Sequence, residues 1–176
     1  MDNYLLLEKE EALSSLSTSL GFSNTFFRGT DFEIVLANSS QDLLVKAKAL
    51  KQKKKLVFYK PTSEDLLRFA LEKAPIDGVI LVEEIHPTNS VHFIRGGLDQ
   101  VLCTIAAANG KAVVFSFSSV LNSPARAKLL GRMIFNFSLC RKYGVKTIFS
   151  NFSQEKMEMR SSADLQAFER ILQKSL

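Results

Sequence analysis

The sequence is poor in several residue types, and each shortage excludes a class of site. It has no tryptophan, only two cysteines and only two histidines among 176 residues. Cys103 and Cys140 have no second cysteine or histidine at metal-ligand spacing, so we expect buried thiols of a reducing compartment rather than a zinc site. His86 and His92 fall in one loop region, and a serine nucleophile with its activating histidine therefore cannot be assigned.

Long apolar runs and glycine-rich loops are missing as well. No apolar stretch approaches the roughly 20 residues of a membrane helix, and the N-terminus lacks a basic segment followed by an apolar run. The doublet Gly96-Gly97 stands alone, without the spacing of either common phosphate-binding loop. These shortages predict a cytoplasmic protein that has no membrane partner and binds no cofactor itself.

Acidic residues are almost missing from one stretch of the chain. The whole sequence has 23 basic and 18 acidic residues. Between Val91 and Gln154 the single acid is Asp99, whereas the basic residues there are Arg95, Lys111, Arg126, Lys128, Arg132, Arg141, Lys142 and Lys146. A polyanion would meet little repulsion in this stretch, while a divalent cation would find almost no carboxylate. The distribution favours nucleic acid as a partner.

Short apolar runs alternate with amphipathic segments along the chain. The runs are Tyr4–Leu7, Thr25–Phe27, Glu33–Leu36, Leu56–Tyr59, Val79–Val82, Ala112–Phe117 and Thr147–Phe149. Helix starts are indicated between them by Thr62 with Asp65, by Ser123 before Pro124, and by Ser161 with Asp164. Continuous rather than alternating hydrophobicity in the runs is typical of parallel strands buried on both faces. The pattern predicts an α/β fold and leaves a closed barrel and an open doubly wound sheet both possible.

The segment from Ser123 to Gly144 predicts a helix with two different faces. A projection at 100° per residue gathers an apolar face of Leu129, Leu130, Met133, Ile134, Phe137 and Cys140. The opposite face carries Lys128, Arg132 and Lys142, with Phe135 and Leu139 between them. Such a face suits RNA phosphates or a partner protein, and a helix packed on both sides is the equally supported alternative.

Two polar segments favour ordinary surface interpretations. The run KQKKK at Lys51–Lys55 is interpreted as a solvated helix end, since cations there complement the helix dipole. Glu83, Glu84 and His86 are where a metal site would be sought, but the turn-forming Pro87 and Asn89 favour a surface loop.

Three segments in the second half of the chain resemble one family. They are RGGLDQVLCTIAAANGKAVVFSFSSVL from Arg95 to Leu121, RMIFNFSLCRKYGV from Arg132 to Val145, and MRSSADLQAF from Met159 to Phe168. Their sequence and order resemble ribonuclease P protein component 3, the archaeal counterpart of the thirty-kilodalton eukaryotic subunit. The similarity covers about the last 90 residues well, whereas the N-terminal half agrees mainly in pattern.

The resemblance implies a single domain over 1–176, a TIM-like (β/α) barrel of about seven mainly parallel strands with outer helices. It also implies a subunit without catalytic or metal-binding residues. The partners would be ribonuclease P RNA, ribonuclease P protein component 2 and, indirectly, precursor tRNA, with magnesium on the RNA subunit. Arg95 and Arg160 match marked family positions and are expected to contact RNA. The charge pattern adds Arg126, Lys128, Arg132, Arg141 and Lys142, and assigns Phe135 and Leu139 to a partner protein.

Other functions remain open at this stage. A metal-dependent phosphoesterase on the same barrel is the main alternative, and a sugar-phosphate barrel enzyme is a third. Both need convergent acids or histidines, which the acid-poor stretch 91–154 does not supply. For Arg160 the alternative role is an ion pair with Asp164 at helical spacing.

Overall fold

The computed structural model describes residues 1–90 and 94–174, so His92 lies outside the described residues. It contains seven strands: β1 (Asp2–Leu5), β2 (Asn24–Phe27), β3 (Phe32–Leu36), β4 (Leu56–Lys60), β5 (Gly78–Ile80), β6 (Ala112–Ser116) and β7 (Thr147–Ser150). Its helices are α1 (Glu11–Ser19), α2 (Ser40–Gln52), α3 (Glu64–Lys73), α4 (Gln100–Ala108), α5 (Phe117–Asn122), α6 (Arg126–Tyr143) and α7 (Ser162–Lys174). In this part of the chain no helix is both long and apolar enough to cross a membrane.

All strand pairings are parallel and follow chain order. β3 to β7 form a five-stranded sheet in sequence, and β1 pairs with β2. The pair joins the sheet at both edges. The Leu6 N–H donates to Ser153 O at 2.9 Å and the Phe152 N–H to Tyr4 O at 2.7 Å, while a bridge between Arg28 and Phe32 links β2 to β3. The predicted seven-stranded, barrel-like α/β fold is thereby confirmed.

Residues pointing inward from all seven strands form the barrel interior. Its buried core is rich in aromatic rings and consists of Tyr4, Phe32, Phe58, Ile80, Val114 and Phe152. Tyr4 stacks on Phe152 with ring centres 5.4 Å apart and meets Phe32 edge to face at 5.4 Å. Phe26 and Ile148 complete the ring from β2 and β7. Large side chains therefore fill a barrel whose strands are short.

Alternate strand residues point outward and are covered by the helices. Val57, Tyr59, Val79, Val113 and Phe115 are fully buried beneath this layer. Because both strand faces are apolar, the strands read as continuous hydrophobic runs rather than alternating ones. This explains why the sequence predicted their position so closely.

The helix starts agree with the sequence in one case and differ in two. Ser161 caps α7 as predicted, accepting from the Asp164 N–H at 3.1 Å. α3 is capped by Ser63, whose hydroxyl accepts from Leu66 N at 3.3 Å, rather than by Thr62. α6 begins at Arg126, so Ser123 and Pro124 precede the helix instead of opening it. The six-residue helix α5, directly after β6, was not predicted from the sequence.

Candidate nucleic-acid interface

Helix α6 carries most of the residues that the sequence selected. It has 18 residues, and Gly144 ends it in the left-handed conformation with φ 68°. Leu129, Met133, Phe137 and Cys140 are buried as expected, with Phe137 stacked on Phe115 at 3.9 Å. Leu130 and Ile134 are half-buried at the edge of the same core.

Arg132 lies inside the protein rather than on the exposed face where the helical projection put it. Only 2% of the residue is accessible. Its Nη1 donates to Glu83 O at 2.6 Å and to His86 O at 2.7 Å, and its Nε donates to the Asn89 side-chain oxygen at 2.8 Å. The guanidinium therefore binds the loop that follows β5 to helix α6. The projection missed this because a charged residue is placed outside by default, although an arginine can be buried where Nε and Nη1 are hydrogen-bonded; Nη2 has no partner among the described residues.

Asn136, one turn further along α6, extends the same connection. Its side-chain amide donates to Glu83 Oε1 and to Gly96 O, both at 2.8 Å. Glu83 is 3% exposed, and burial raises the pKa of its carboxyl to about 7, although the bond from Asn136 and the charge of Arg132 act to lower it. A buried Glu–Asn–Arg cluster thus joins the segment after β5 to α6.

Two glycines allow this close approach. A Cβ on Gly96 would lie 2.5 Å from Asn136 Oδ1 and 2.9 Å from Phe135 Cδ1. Gly97 has φ +89°, and a Cβ there would meet Val82 O at 2.2 Å. The Gly96-Gly97 doublet, which fits no phosphate loop, is therefore required for packing against α6 and the turn at Val82.

Arg95, Phe135, Leu139 and Lys142 line one groove. The groove measures about 760 Å³ and lies between the N-terminal ends of α3 and α4 and the side of α6. Ile94 and Val101 line it too, and they are 41% and 46% exposed. Apolar surface and cations are thus adjacent along this groove.

Arg95 and Lys142 retain available charge in the groove. Among the described residues, the Arg95 guanidinium makes no hydrogen bond or ion pair, and Lys142 only lies over the Tyr143 ring at 5.5 Å. Three acids also line the groove. Asp99 caps α4 through Leu102 N at 2.7 Å, Glu64 pairs with His86 at 2.7 Å, and Asp65 is exposed. The groove is mixed in charge, with its free cations on the side of α6 and Arg95.

Three other selected residues donate to main-chain carbonyls. Arg126 Nε donates to Val120 O at 2.9 Å and its Nη2 to Leu121 O at 2.8 Å, next to the end of α5. Lys128 donates to Pro87 O at 2.8 Å and Arg141 to Gln173 O at 2.9 Å. All three remain exposed. Their remaining N–H groups are still available to phosphate oxygens, and their predicted role in RNA contact stays a prediction.

Arg160 does not pair with Asp164, which was the alternative considered from helical spacing. Its Nη1 donates to Met157 O at 3.0 Å and to Met159 O at 3.1 Å. Its main chain is held by Asn151, whose side chain accepts from Arg160 N at 2.9 Å and donates to Arg160 O at 3.2 Å. Asp164 instead accepts from Ser161 at 2.7 Å. Arg160 therefore stabilises the turn before α7.

The side chains at which a metal site would be sought make other contacts. Glu83 is buried with Asn136, Glu84 pairs with Lys60 at 2.6 Å, and His86 pairs with Glu64. Within residues 1–90 and 94–174, no group of three or more potential metal ligands converges.

The two cysteines are both buried, and their thiols lie against each other: the hydrogen bond lowers the pKa of Cys103 and raises that of Cys140.

Sequence reasoning missed Glu83 and Asn136 as parts of this region. Glu83 follows a strand and precedes a proline-containing loop, which is typical of surface, and Asn136 lies within a helix where polar residues usually face solvent. A signal was nevertheless present. Asn136 falls one turn after Arg132 on the same helix, and both follow the apolar positions Leu129 and Met133.

Comparison with known proteins finds a curated relative and solved structures of similar fold. No family model matches the chain. Ribonuclease P protein component 3 of Methanosarcina barkeri is 32% identical over 111 residues, which are 62% of this chain and 43% of that relative. The chain therefore matches less than half the length of this relative. The resemblance indicated by the sequence is confirmed.

The structural likeness covers nearly the whole chain. A chain in a cryo-EM structure of archaeal ribonuclease P with mature tRNA matches with a TM-score of 0.70 at 21% identity, covering 98% of this chain and 72% of that chain. A crystal structure of an amidohydrolase matches with a TM-score of 0.53 at 14% identity, covering 94% and 40%. At these identities the two likenesses show a shared fold.

Proposed function

We propose that this chain is a non-catalytic protein subunit of ribonuclease P, which binds RNA and a partner protein and supports RNA-catalysed removal of the 5′ leader from precursor tRNA. The main support for this proposal is the combined likeness, in sequence and in fold, to ribonuclease P proteins. A relative named ribonuclease P protein component 3 is similar in sequence, and a chain of an archaeal ribonuclease P complex shares the fold over 98% of this chain.

The charge distribution supports RNA as the ligand. Eight cations and one acid between residues 91 and 154 give a local excess that a phosphate backbone would neutralise. In the groove, the unpaired Arg95 and Lys142 are placed to contact phosphate. Arg126, Lys128, Arg141 and Arg160 are secondary candidates, since each already donates to a carbonyl. Arg132 is proposed to act indirectly, by holding the loop that ends at Arg95.

The apolar part of the groove supports a protein partner. Phe135 and Leu139 lie beside the exposed Ile94 and Val101, and buried aromatic and aliphatic anchors dominate protein interfaces. We assign this part to ribonuclease P protein component 2. Precursor tRNA would be contacted indirectly, the magnesium would be bound by the RNA subunit, and the assembly would act in the cytoplasm.

Because the fold is shared with an amidohydrolase, the phosphoesterase alternative is tested as well. Hydrolysis on such a barrel requires convergent ligands for a metal, and within residues 1–90 and 94–174 no three potential ligands converge. No specific observation in the described residues favours the alternative.

Reconstitution of ribonuclease P tests the proposal. The RNA subunit is combined with component 2 and the remaining protein subunits, with or without this chain, and precursor-tRNA cleavage is measured. We expect the chain to increase cleavage, Arg95→Gln and Lys142→Gln to reduce it with unchanged melting temperature, and Leu139→Ala to weaken binding of component 2.

The control is Arg170→Gln, which removes the same charge from the exposed face of α7. Equal cleavage with and without the chain would contradict the proposed function. Metal-dependent hydrolysis of phosphoesters by the pure chain, lost on changing Glu64 or His86, would establish the phosphoesterase alternative instead.

A further inference from the structure

The N-terminal ends of four adjacent strands carry charged residues at one end of the barrel. Lys55, Lys111 and Lys146 directly precede β4, β6 and β7, and Asp77 directly precedes β5. Because the strands are parallel, these starts lie at the same rim. Lys51, in the last turn of α2, reaches this rim as well, since its Nζ lies 2.6 Å from Asp77 Oδ2.

The rim surrounds a concavity of about 460 Å³, which we call the N-terminal mouth; its charged lining residues are Lys51, Asp77, Lys111 and Lys146. Its floor is the end of the barrel interior, formed by Tyr4, Phe58 and Ile148. The groove at α6 shares none of these residues. Lys111 and Lys146 belong to the acid-poor stretch 91–154, but they are not among the individual residues that the sequence assigned to RNA contact.

The single carboxylate of the mouth is already neutralised. Asp77 accepts from Lys51 through both oxygens at 2.6 Å and from the Val57 N–H at 2.7 Å. Three amines therefore line the mouth with one carboxylate that has its partners, which leaves an excess of two positive charges among the lining residues.

The other two lysines differ in how they are held. Lys111 Nζ donates to Ala74 O at 3.1 Å and to Ile76 O at 2.6 Å, which fixes its position. Burial lowers the pKa of Lys111, and the charge of Lys51 lowers it further, against the attraction of Asp77. Lys146 is exposed and, among the described residues, its side-chain amine has no hydrogen bond or ion pair. An anion in the mouth would relieve the repulsion between these amines.

The neighbouring surface carries charges of both signs. Lys53 and Lys54 follow α2 and are exposed, whereas Asp2 and Glu169 line the adjoining cleft together with Lys146. Space around Gly110 is open, since a Cβ there would meet no atom within 4 Å. The exposed large apolar residues of the described chain are Leu36, Val45, Ile94, Val101, Met157 and Ile171, and none of them lines the mouth. A protein partner would find only buried or half-buried apolar residues in the mouth, whereas a phosphate backbone needs only the cations.

We propose that the N-terminal mouth is a second RNA contact, in which Lys146 and the adjacent Lys53 bind backbone phosphates while Lys51 and Lys111 supply fixed positive charge. The inference rests on the proposed RNA-binding function and adds a surface to it. In this position the mouth would contact a different part of the RNA from the groove that contains Arg95. The run Lys51–Lys55 is then part of a binding surface and not only a solvated helix end.

The experiment measures binding of the full chain to the ribonuclease P RNA subunit over a series of salt concentrations. Lys146→Gln removes one charge from the mouth and Lys53→Gln one from the surface beside it, Arg95→Gln removes one from the groove, and Lys9→Gln removes one from an exposed position after β1. We expect each mouth variant to lower the slope of log affinity against log salt by about 1, because one phosphate contact is lost. Lys9→Gln should keep the wild-type slope.

The outcomes separate the two proposals. If Arg95→Gln lowers the slope while both mouth variants behave like Lys9→Gln, the mouth is not an RNA contact and the proposed function stands. If the wild-type chain shows no salt-dependent binding, both proposals fail. Inorganic phosphate serves as a second probe: an amide shift at Gly110 that phosphate produces and RNA does not would indicate a site for a free anion and overturn the RNA contact.

Discussion

The cations at the two ends of the barrel have different roles. Beyond the C-terminal ends of the strands, Arg126, Arg132 and Arg160 donate to main-chain carbonyls and hold loops in place. At the N-terminal mouth, Lys146 keeps its charge unpaired among the described residues and Lys51 and Lys111 surround one carboxylate. The comparison teaches that a local excess of basic residues in a sequence contains both structural cations and cations available to a ligand.

The chemistry of the two side chains explains this division. Arginine has five N–H donors in a rigid planar fork, so one side chain can satisfy several carbonyls at once. Lysine is a flexible point charge that leaves most of its donors free in water. At the C-terminal ends of the strands, the loops contain carbonyl groups that require hydrogen-bond donors, and arginine side chains supply them.

Arg132→Ala is expected to have the largest effect on stability. The change leaves Glu83 O and His86 O without this donor inside the protein, while Asn89 Oδ1 keeps only the Arg95 N–H at 3.4 Å. Loss of a buried guanidinium that donates three hydrogen bonds should lower the free energy of unfolding by about 4 kcal/mol. Urea denaturation measures it, with Arg170→Ala on the surface as the control. A loss below about 1 kcal/mol would show that Arg132 is not a structural cation.

A second prediction uses the pH dependence of Glu83. Its folded pKa is raised to about 7 by burial. The folded state therefore binds the proton more tightly than the unfolded chain, and the stability present below the ordinary pKa of about 4.5 is lost as the pH rises to about 7. The loss is on the order of 3 kcal/mol.

Glu83→Gln tests this assignment because it retains an acceptor for Asn136 without an ionisable group. Unfolding free energies of the wild type and the variant are compared between pH 4.5 and pH 8, and the variant should gain relative to the wild type as the pH rises. A difference that stays constant over this range would mean that Glu83 ionises normally in the folded protein.

Two glycines with positive φ give a third test, with an expected loss of stability of about 3 kcal/mol or less. Gly97 has φ +89° and Gly29 has φ +82°, but only at Gly97 would a Cβ meet an atom, Val82 O at 2.2 Å. Alanine at Gly29 should cost about 1 kcal/mol for the left-handed conformation, and at Gly97 about 2 kcal/mol more for the clash. Thermal unfolding of the two variants measures the difference, and equal losses would contradict the close approach.

The sequence predicted the strands well because each is buried on both faces. Seven apolar runs correspond to β1 to β7, and the parallel arrangement follows from their continuous hydrophobicity. The barrel interior could not be separated from the outer layer in the same way. Phe58 faces the barrel axis and Tyr59 faces the helices, yet both are apolar positions in one run.

The sites were less predictable because burial of a polar residue depends on its partners. Arg132, Asn136 and Glu83 come from two distant segments, and each is stable inside only because the others are present. Lys111 and Lys146 are 35 positions apart in the sequence, and only the parallel alignment of β6 and β7 brings them to one rim. Neither pairing leaves a local signal, whereas the groove residues Phe135, Leu139 and Lys142 lie on one helix and were selected together.

The smallest effect is expected at Arg126, which tests whether an exposed structural cation can also contact RNA. Arg126 uses Nε and Nη2 on the carbonyls of Val120 and Leu121 and remains exposed. Arg126→Gln should therefore lower stability by no more than about 1 kcal/mol, since water replaces the guanidinium at exposed carbonyls. If the free Nη1 also binds a phosphate, the same variant lowers the salt slope of RNA binding by about 1. Binding to the RNA subunit and urea denaturation are measured on one preparation. An unchanged slope would place Arg126 with Arg132 among the cations that serve the fold alone, and would leave Arg95, Lys142 and the N-terminal mouth as the RNA contacts.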